Sequence, residues 1–151
     1  MDGQGDKRVA EKIYILRGVK MSEFKVAVGS LLLYNRKILL LKDAVEGYWA
    51  SPGGGVDFGE ELHTAIRREI KEETGLDDIR IEKLLFALTS VGKNHIVGII
   101  YLCYANSDKV TLSHEHTDFI WANKEELKLL NKDIVNLYEE NSVFLDDLEI
   151  D

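Results

Sequence analysis

The fold class this sequence predicts is α+β, a mixed β-sheet sandwiched between α-helices. Three observations carry the expectation. Two apolar runs within residues 24–43 are separated by a tight turn, so the first two strands are antiparallel. One clear helical pattern follows at about residues 60–74. Strand-like runs then resume and the chain closes on helical patterns, an order that places helices on the faces of a mixed sheet rather than in a doubly wound one.

Residues 1–8 are polar and Gly-rich and are expected to fray. "VAEKIYILRG" (9–18) reads either as a strand or as part of an N-terminal extension, and Met21 offers a second start. The expected organisation is an N-terminal extension, partly flexible, over residues 1–22 and a single domain over 23–151. "FKVAVGSLLLYNRKILLLKD" (24–43) gives the two strands, turning at Asn35-Arg36. "AVEGYWASPGGGVDFGEE" (44–61) holds five glycines and the only proline, which predicts a structured loop, neither strand nor helix. The helix over 60–74 stops at Gly75. "IRIEKLLFALTS" (79–90), "HIVGIIYLCYAN" (95–106) and "DFIWA" (118–122) are β-branched and aromatic, hence strands. "NKEELKLLN" (123–131) opens on an Asn cap and reads as a short helix, and "KDIVNLYEENSVFL" (132–145) as a terminal one.

Composition narrows the function. At 151 residues and 45% apolar, the chain is long enough for a real core. A net charge of −8 argues against nucleic acid as a main partner, and leaves a phosphate-handling protein in need of metal ions or a local basic patch. No run approaches a membrane span and the start lacks the apolar core of a signal peptide, so a cytoplasmic protein is the expectation. Cys103, the single cysteine, sits in an apolar run and reads as a buried small hydrophobe.

The helix changes character halfway. At 100° per residue with Glu69 at zero, Leu62, Ala65 and Ile66 fall at about 20°, −40° and 60° and form an apolar stripe. Glu72 at about −60° and Glu73 at about 40° continue that stripe with Glu69, while Arg67 and Lys71 face the opposite side. Carboxylates on an inward stripe are costly unless partnered. With the basic residues turned away, a divalent cation is the expected partner: Mg²⁺ takes oxygen ligands and keeps waters that reach substrate phosphates. The Gly-rich loop before the helix can bring backbone close to such a ligand.

Residues 54–76, "GGVDFGEELHTAIRREIKEETGL", resemble the Nudix hydrolase box at every specified position: Gly54, Glu60, Arg68, Glu69, Ile70, Glu72, Glu73, Gly75 and Leu76. The resemblance implies the Nudix fold over about residues 24–140 and hydrolysis of a phosphoanhydride in a nucleoside diphosphate-linked substrate, with Mg²⁺ or Mn²⁺ as cofactor. By position in the box it implies Glu69 and Glu73 as metal ligands, and Glu72 as a further ligand or the group that handles the attacking water. Gly53 corresponds to a backbone carbonyl that often binds metal, and Glu60 and Arg68 to a pair that ties loop to helix. Members of the family often pair, which leaves a homodimer open.

Outside the box, Glu115 in "SHEHTDFIW" is a candidate ligand or base, with a solvated loop glutamate as its plainer reading. His114 and His116 flank it; metal ligation or contact with a base is open to either, but hard Mg²⁺ disfavours imidazole, which favours exposed loop histidines. Trp49 either stacks on a base or sugar or packs in the core, and Asp57 and Phe58 are candidates for touching substrate. The signatures of the ADP-ribose, dinucleoside polyphosphate, NADH and coenzyme A subtypes do not match, which favours a nucleoside triphosphate or a nucleotide sugar. A non-catalytic nucleotide sensor and an RNA 5′-end pyrophosphohydrolase are the competing readings.

Overall fold

The computed structural model describes residues 24–92 and 94–151, so the extension predicted over 1–22 lies outside the described residues. Strands β1 (Phe24–Tyr34) and β2 (Lys37–Asp43) are joined by Asn35 and Arg36, at φ 49° and 64°. Two successive residues with positive φ are what a tight two-residue hairpin of the right twist requires. The hairpin ladder is short, with Leu33 opposite Ile38 and Tyr34 opposite Lys37. Beyond it the strands part. The freed edge of β1 is taken by β4 (Gly53–Gly55), antiparallel, and β2 turns to β3 (Trp49–Ala50) and β7 (His116–Ala122). Along its other edge β1 runs parallel to β6 (His95–Ala105), which pairs antiparallel with β5 (Ile79–Val91). One parallel pair among antiparallel ones makes the sheet of seven strands mixed.

Period-two alternation then decides which helix covers which face. Val28, Leu32, Leu39 and Leu41 pack with Ala65, Ile66 and Ile70 of helix α1 (Leu62–Thr74). Leu31, Leu33, Ile38 and Leu40 point the other way, onto Leu127 of α2 (Lys124–Leu130) and Val135 and Tyr138 of α3 (Lys132–Glu140). Leu31, Leu32, Leu39, Leu40, Ile66 and Ile70 are all fully buried, each stabilising the fold by about 1.5–3 kcal/mol. Cys103 is buried among the α1-side residues.

Three boundaries differ from the expectation. Residues 44–61 contain two short strands rather than loop alone. Backbone packing explains β4: a Cβ on Gly53 would fall 2.4 Å from the carbonyl oxygen of Val28, so only glycine fits there. The terminal helix stops at Glu140, not 145, because Ser142 turns left-handed at φ 61° and the Asn141 side chain donates to the carbonyl of Leu137; a short 3-10 helix follows at Leu145–Leu148. Strand β7 begins at His116, two residues early, through a bulge at its own Thr117, where the register shifts between Lys42 and Asp43 of its partner. Helix α1 ends on Gly75 at φ 73°, whose amide donates to the carbonyl of Lys71. Among the described residues no helix is long and apolar enough to cross a membrane.

Candidate active site

The last turn of α1 runs beside β4, and one carboxylate sits between them. Glu73 is only 4% exposed. The Gly53 amide donates to its Oε1 at 3.2 Å. The loop leading to β7 is laced to the same turn, with Thr111 N–H donating to the Thr74 carbonyl at 2.8 Å and Ser113 N–H to the Glu73 carbonyl at 3.4 Å. Burial pushes the Glu73 carboxyl up to about 8; the Gly53 hydrogen bond opposes this, and the charges of Glu69, Glu115 and Glu72 add to it. Three further carboxylates are therefore within electrostatic reach of the buried one.

Glu69 is held over the Gly-rich strand. Its side chain is 14% exposed, and a Cβ on Gly54 would meet its carboxyl carbon at 2.4 Å. Glu72 differs from the expected inward stripe: its side chain is 59% exposed, since −60° lies at the rim of a face that the sheet covers only in part. The basic residues do not all turn away either. Arg68 uses its length to reach back, donating from Nη1 to Glu69 Oε1 at 2.8 Å and to Glu72 Oε2 at 3.3 Å. Its Nε and Nη2 donate to both oxygens of Glu60, at 2.8 and 2.9 Å, and Nη2 also reaches the Gly55 carbonyl at 2.9 Å. This bidentate pairing holds the Glu60 carboxyl down to about 2 and raises the Arg68 guanidinium above its ordinary value. One side chain thus fastens the loop, the helix and two of the acidic residues together.

The remaining candidates separate. Glu115 is exposed in the loop, yet its charge reaches Glu73. Gly53 faces Glu73 through its amide rather than its carbonyl. Trp49 is half-buried against the α3-side core, with Lys42 Nζ 5.9 Å from its ring centre and its carbonyl accepting from Asn131 Nδ2 at 2.6 Å. Asp57 lies 3.7 Å from Arg68 Nε and is largely exposed, and Phe58 projects fully into solvent.

Two features were missed. His116 is not an exposed loop histidine: its side chain is 14% exposed and its Nε2 lies 3.5 Å from Glu73 Oε2. The second is a cavity of 160 Å³ on the α3 side, mostly apolar, where Ser30, Ser51, Ile134 and Tyr138 meet and Tyr138 Oη lies 3.4 Å from Ser51 Oγ. Its wall includes Gly29, the register partner of Gly53.

Among the described residues, no group of three or more histidine, cysteine, aspartate or glutamate side chains is placed to hold a metal ion. A hard cation that retains waters needs only one or two protein carboxylates, and a carboxyl raised first by burial and then by neighbouring carboxylates is the donor chemistry such a cation relieves. The residues fit a divalent ion.

Sheet and flanking helices define a class, the α+β proteins with a mixed sheet between helices. The family is specific: the NUDIX domain model matches residues 23–140, and the chain belongs to that family. It is a Nudix-type pyrophosphohydrolase. Among its relatives, the nucleoside triphosphatase NudI of Enterobacter sp. (strain 638) is 32% identical over 56% of this chain and 68% of that protein. The MutT protein of Methanosarcina mazei Go1 shares the fold, with a TM-score of 0.71 at 23% identity over 82% of this chain and 96% of its own. A C. elegans Ap4A hydrolase aligns with a TM-score of 0.68 and 26% identity, over 82% of this chain and 98% of its own.

Proposed function

We propose that residues 23–151 form one catalytic domain that hydrolyses a phosphoanhydride of a nucleoside triphosphate or nucleotide sugar with Mg²⁺ or Mn²⁺. The observation that carries this reading is Glu73, a buried carboxyl tied to the Gly53 amide and pressed by three like-charged neighbours. The nucleoside triphosphatase and Ap4A hydrolase relatives weight the substrate towards nucleoside polyphosphates.

Glu69 and Glu73 would hold the cation. When bound, it neutralises phosphate charge and lowers the pKa of water. The chain's own residues do the rest. The Gly53 amide fixes one oxygen of Glu73, leaving Oε2 free to turn to a ligand. Arg68 fixes Glu69 from the far side. Glu72 and Glu115 are the candidates to accept a proton from the attacking water; Glu72, tethered to Arg68, is favoured. A nucleoside monophosphate and pyrophosphate are the products from a triphosphate.

The test is a substrate panel of nucleoside triphosphates, nucleotide sugars, dinucleoside polyphosphates and capped RNA, each with Mg²⁺ or Mn²⁺, run with Glu72→Gln and Glu73→Gln. Turnover of a small nucleotide that needs the cation and falls in both variants is expected. Failure of every substrate sinks the catalytic reading in favour of a nucleotide sensor, and turnover of capped RNA alone moves it to the RNA end. Turnover untouched by both substitutions sinks the assignment of the glutamates.

A further inference from the structure

His116 does not belong to the oxygen-donor set, yet its place is inside that set. The bulge at Thr117 brings it opposite Asp43, which has the parity of Leu39 and Leu41, so its side chain turns to the α1 side of the sheet. There Nε2 comes within 3.5 Å of Glu73 Oε2, a long approach for a hydrogen bond. The other nitrogen, Nδ1, is buried with no hydrogen-bond partner, the one such side-chain atom among the described residues. A buried imidazole held so loosely by the protein is unusual, because buried polar atoms in folded chains are nearly always paired. Its surroundings are uniformly acidic: Glu73 beside it, Asp43 across the ladder and Glu115 next in sequence.

We infer that His116 is a nitrogen donor to the cation at Glu73, and that it tilts the site from Mg²⁺ towards transition-metal dications. The inference rests on the metal-dependent reading above. Imidazole is a poor ligand for Mg²⁺ and a good one for the later first-row ions, so one nitrogen among carboxylates changes preference more than it changes overall strength. The side-chain position supports it: Nε2 lies 3.5 Å from an oxygen that is itself a candidate ligand.

The test is spectroscopic. Pulsed EPR on the full chain with Mn²⁺ is expected to show nitrogen coupling to the bound ion. The coupling should change in chain grown with heavy-nitrogen histidine and vanish in His116→Gln, but persist in His114→Gln. Mn²⁺ and Co²⁺ affinity should fall by about tenfold or more in His116→Gln, with Mg²⁺ affinity within about twofold. Mn²⁺ that binds, and is lost in Glu73→Gln, without nitrogen coupling overturns the role of His116 and leaves the carboxylate site standing. No Mn²⁺ binding at all overturns both. If His116→Gln does not fold, the isotope experiment on the unmodified chain decides between them.

Discussion

Gly54→Ala separates catalytic geometry from folding, because neighbouring Gly53 offers the opposite outcome at the same strand. An added Cβ at Gly54 falls 2.4 Å from Glu69 Cδ and Oε2 and 2.6 Å from Oε1, where ordinary contact begins at 3.4 Å. The carboxylate must retreat by the difference, about 1 Å. It is the end of a flexible side chain, so the fold gives way cheaply, within about 1 kcal/mol. A displacement of about 1 Å at a reacting centre costs about a hundredfold in rate, or ~2.7 kcal/mol in barrier. At Gly53 the same methyl meets backbone: 2.4 Å to the Val28 carbonyl oxygen and 2.8 Å to Gly29 Cα, which cannot move without opening the β1–β4 ladder. Overpacking of that kind costs about 3 kcal/mol, or ~10 °C in a chain of this size. Thermal unfolding and steady-state nucleotide hydrolysis of the two variants check this directly. Gly54→Ala should melt near wild type with kcat/KM down about a hundredfold, and Gly53→Ala should melt well below it. A Gly54→Ala enzyme with unchanged kcat/KM would refute the placement of Glu69 as a functional group.

Further outcomes follow from the same contacts. Glu73 has a folded pKa raised to about 8 from 4.5, so the stability linked to its protonated form is complete below pH 4.5 and is lost as pH rises through about 8. The melting-temperature gain from Mg²⁺ should therefore grow between pH 6 and 9, and Glu73→Gln should flatten that dependence; a gain independent of pH in wild type would contradict it. Arg68→Lys keeps the charge but loses the two-pronged grip on Glu60 and the reach to Glu69, and should lower kcat about tenfold or more with the fold retained, as read by circular dichroism and turnover. The Glu60 carboxyl, held down to about 2, should stay ionised until pH falls towards that value, a titration that NMR of the Glu60 side chain follows. Asn123→Ala removes the side-chain half of a complete capping box with Glu126 and should destabilise the domain by about 1 kcal/mol in urea unfolding, without changing kcat.

Much of this was legible in the chain because it depends on short-range pattern. The alternation of Leu31 and Leu33 against Leu32, and of Ile38 and Leu40 against Leu39 and Leu41, sorts both strands onto two faces before any partner is known. The inward turn of Ala65, Ile66 and Glu73 follows from helical periodicity alone. What the sequence hid is set by long-range contact or by side-chain length. Glycines at 53–55 look like loop until β1 is present to pair with them. Arg68 lies off the acidic stripe by its Cα position and reaches it only through its extended side chain. His116 has the strand parity of Ile120 and Ala122, which face the α3-side core; the bulge at Thr117 moves it to the α1 side, and no local signal in "SHEHTDFIW" marks that shift. The cavity at Ser51 and Tyr138 joins residues 87 positions apart and has no sequence pattern of its own.

The central claim is that the carboxylates gathered around Glu73 make a cation-dependent phosphoanhydride hydrolase. Single-turnover hydrolysis of nucleoside triphosphates by wild type and Glu73→Gln, with Mg²⁺ or Mn²⁺ and after chelation, tests it most directly. Pyrophosphate release is expected to stop on chelation, return with the cation, and fall by about a hundredfold or more in Glu73→Gln. Release that survives chelation, or that Glu73→Gln performs at the wild-type rate, would contradict it.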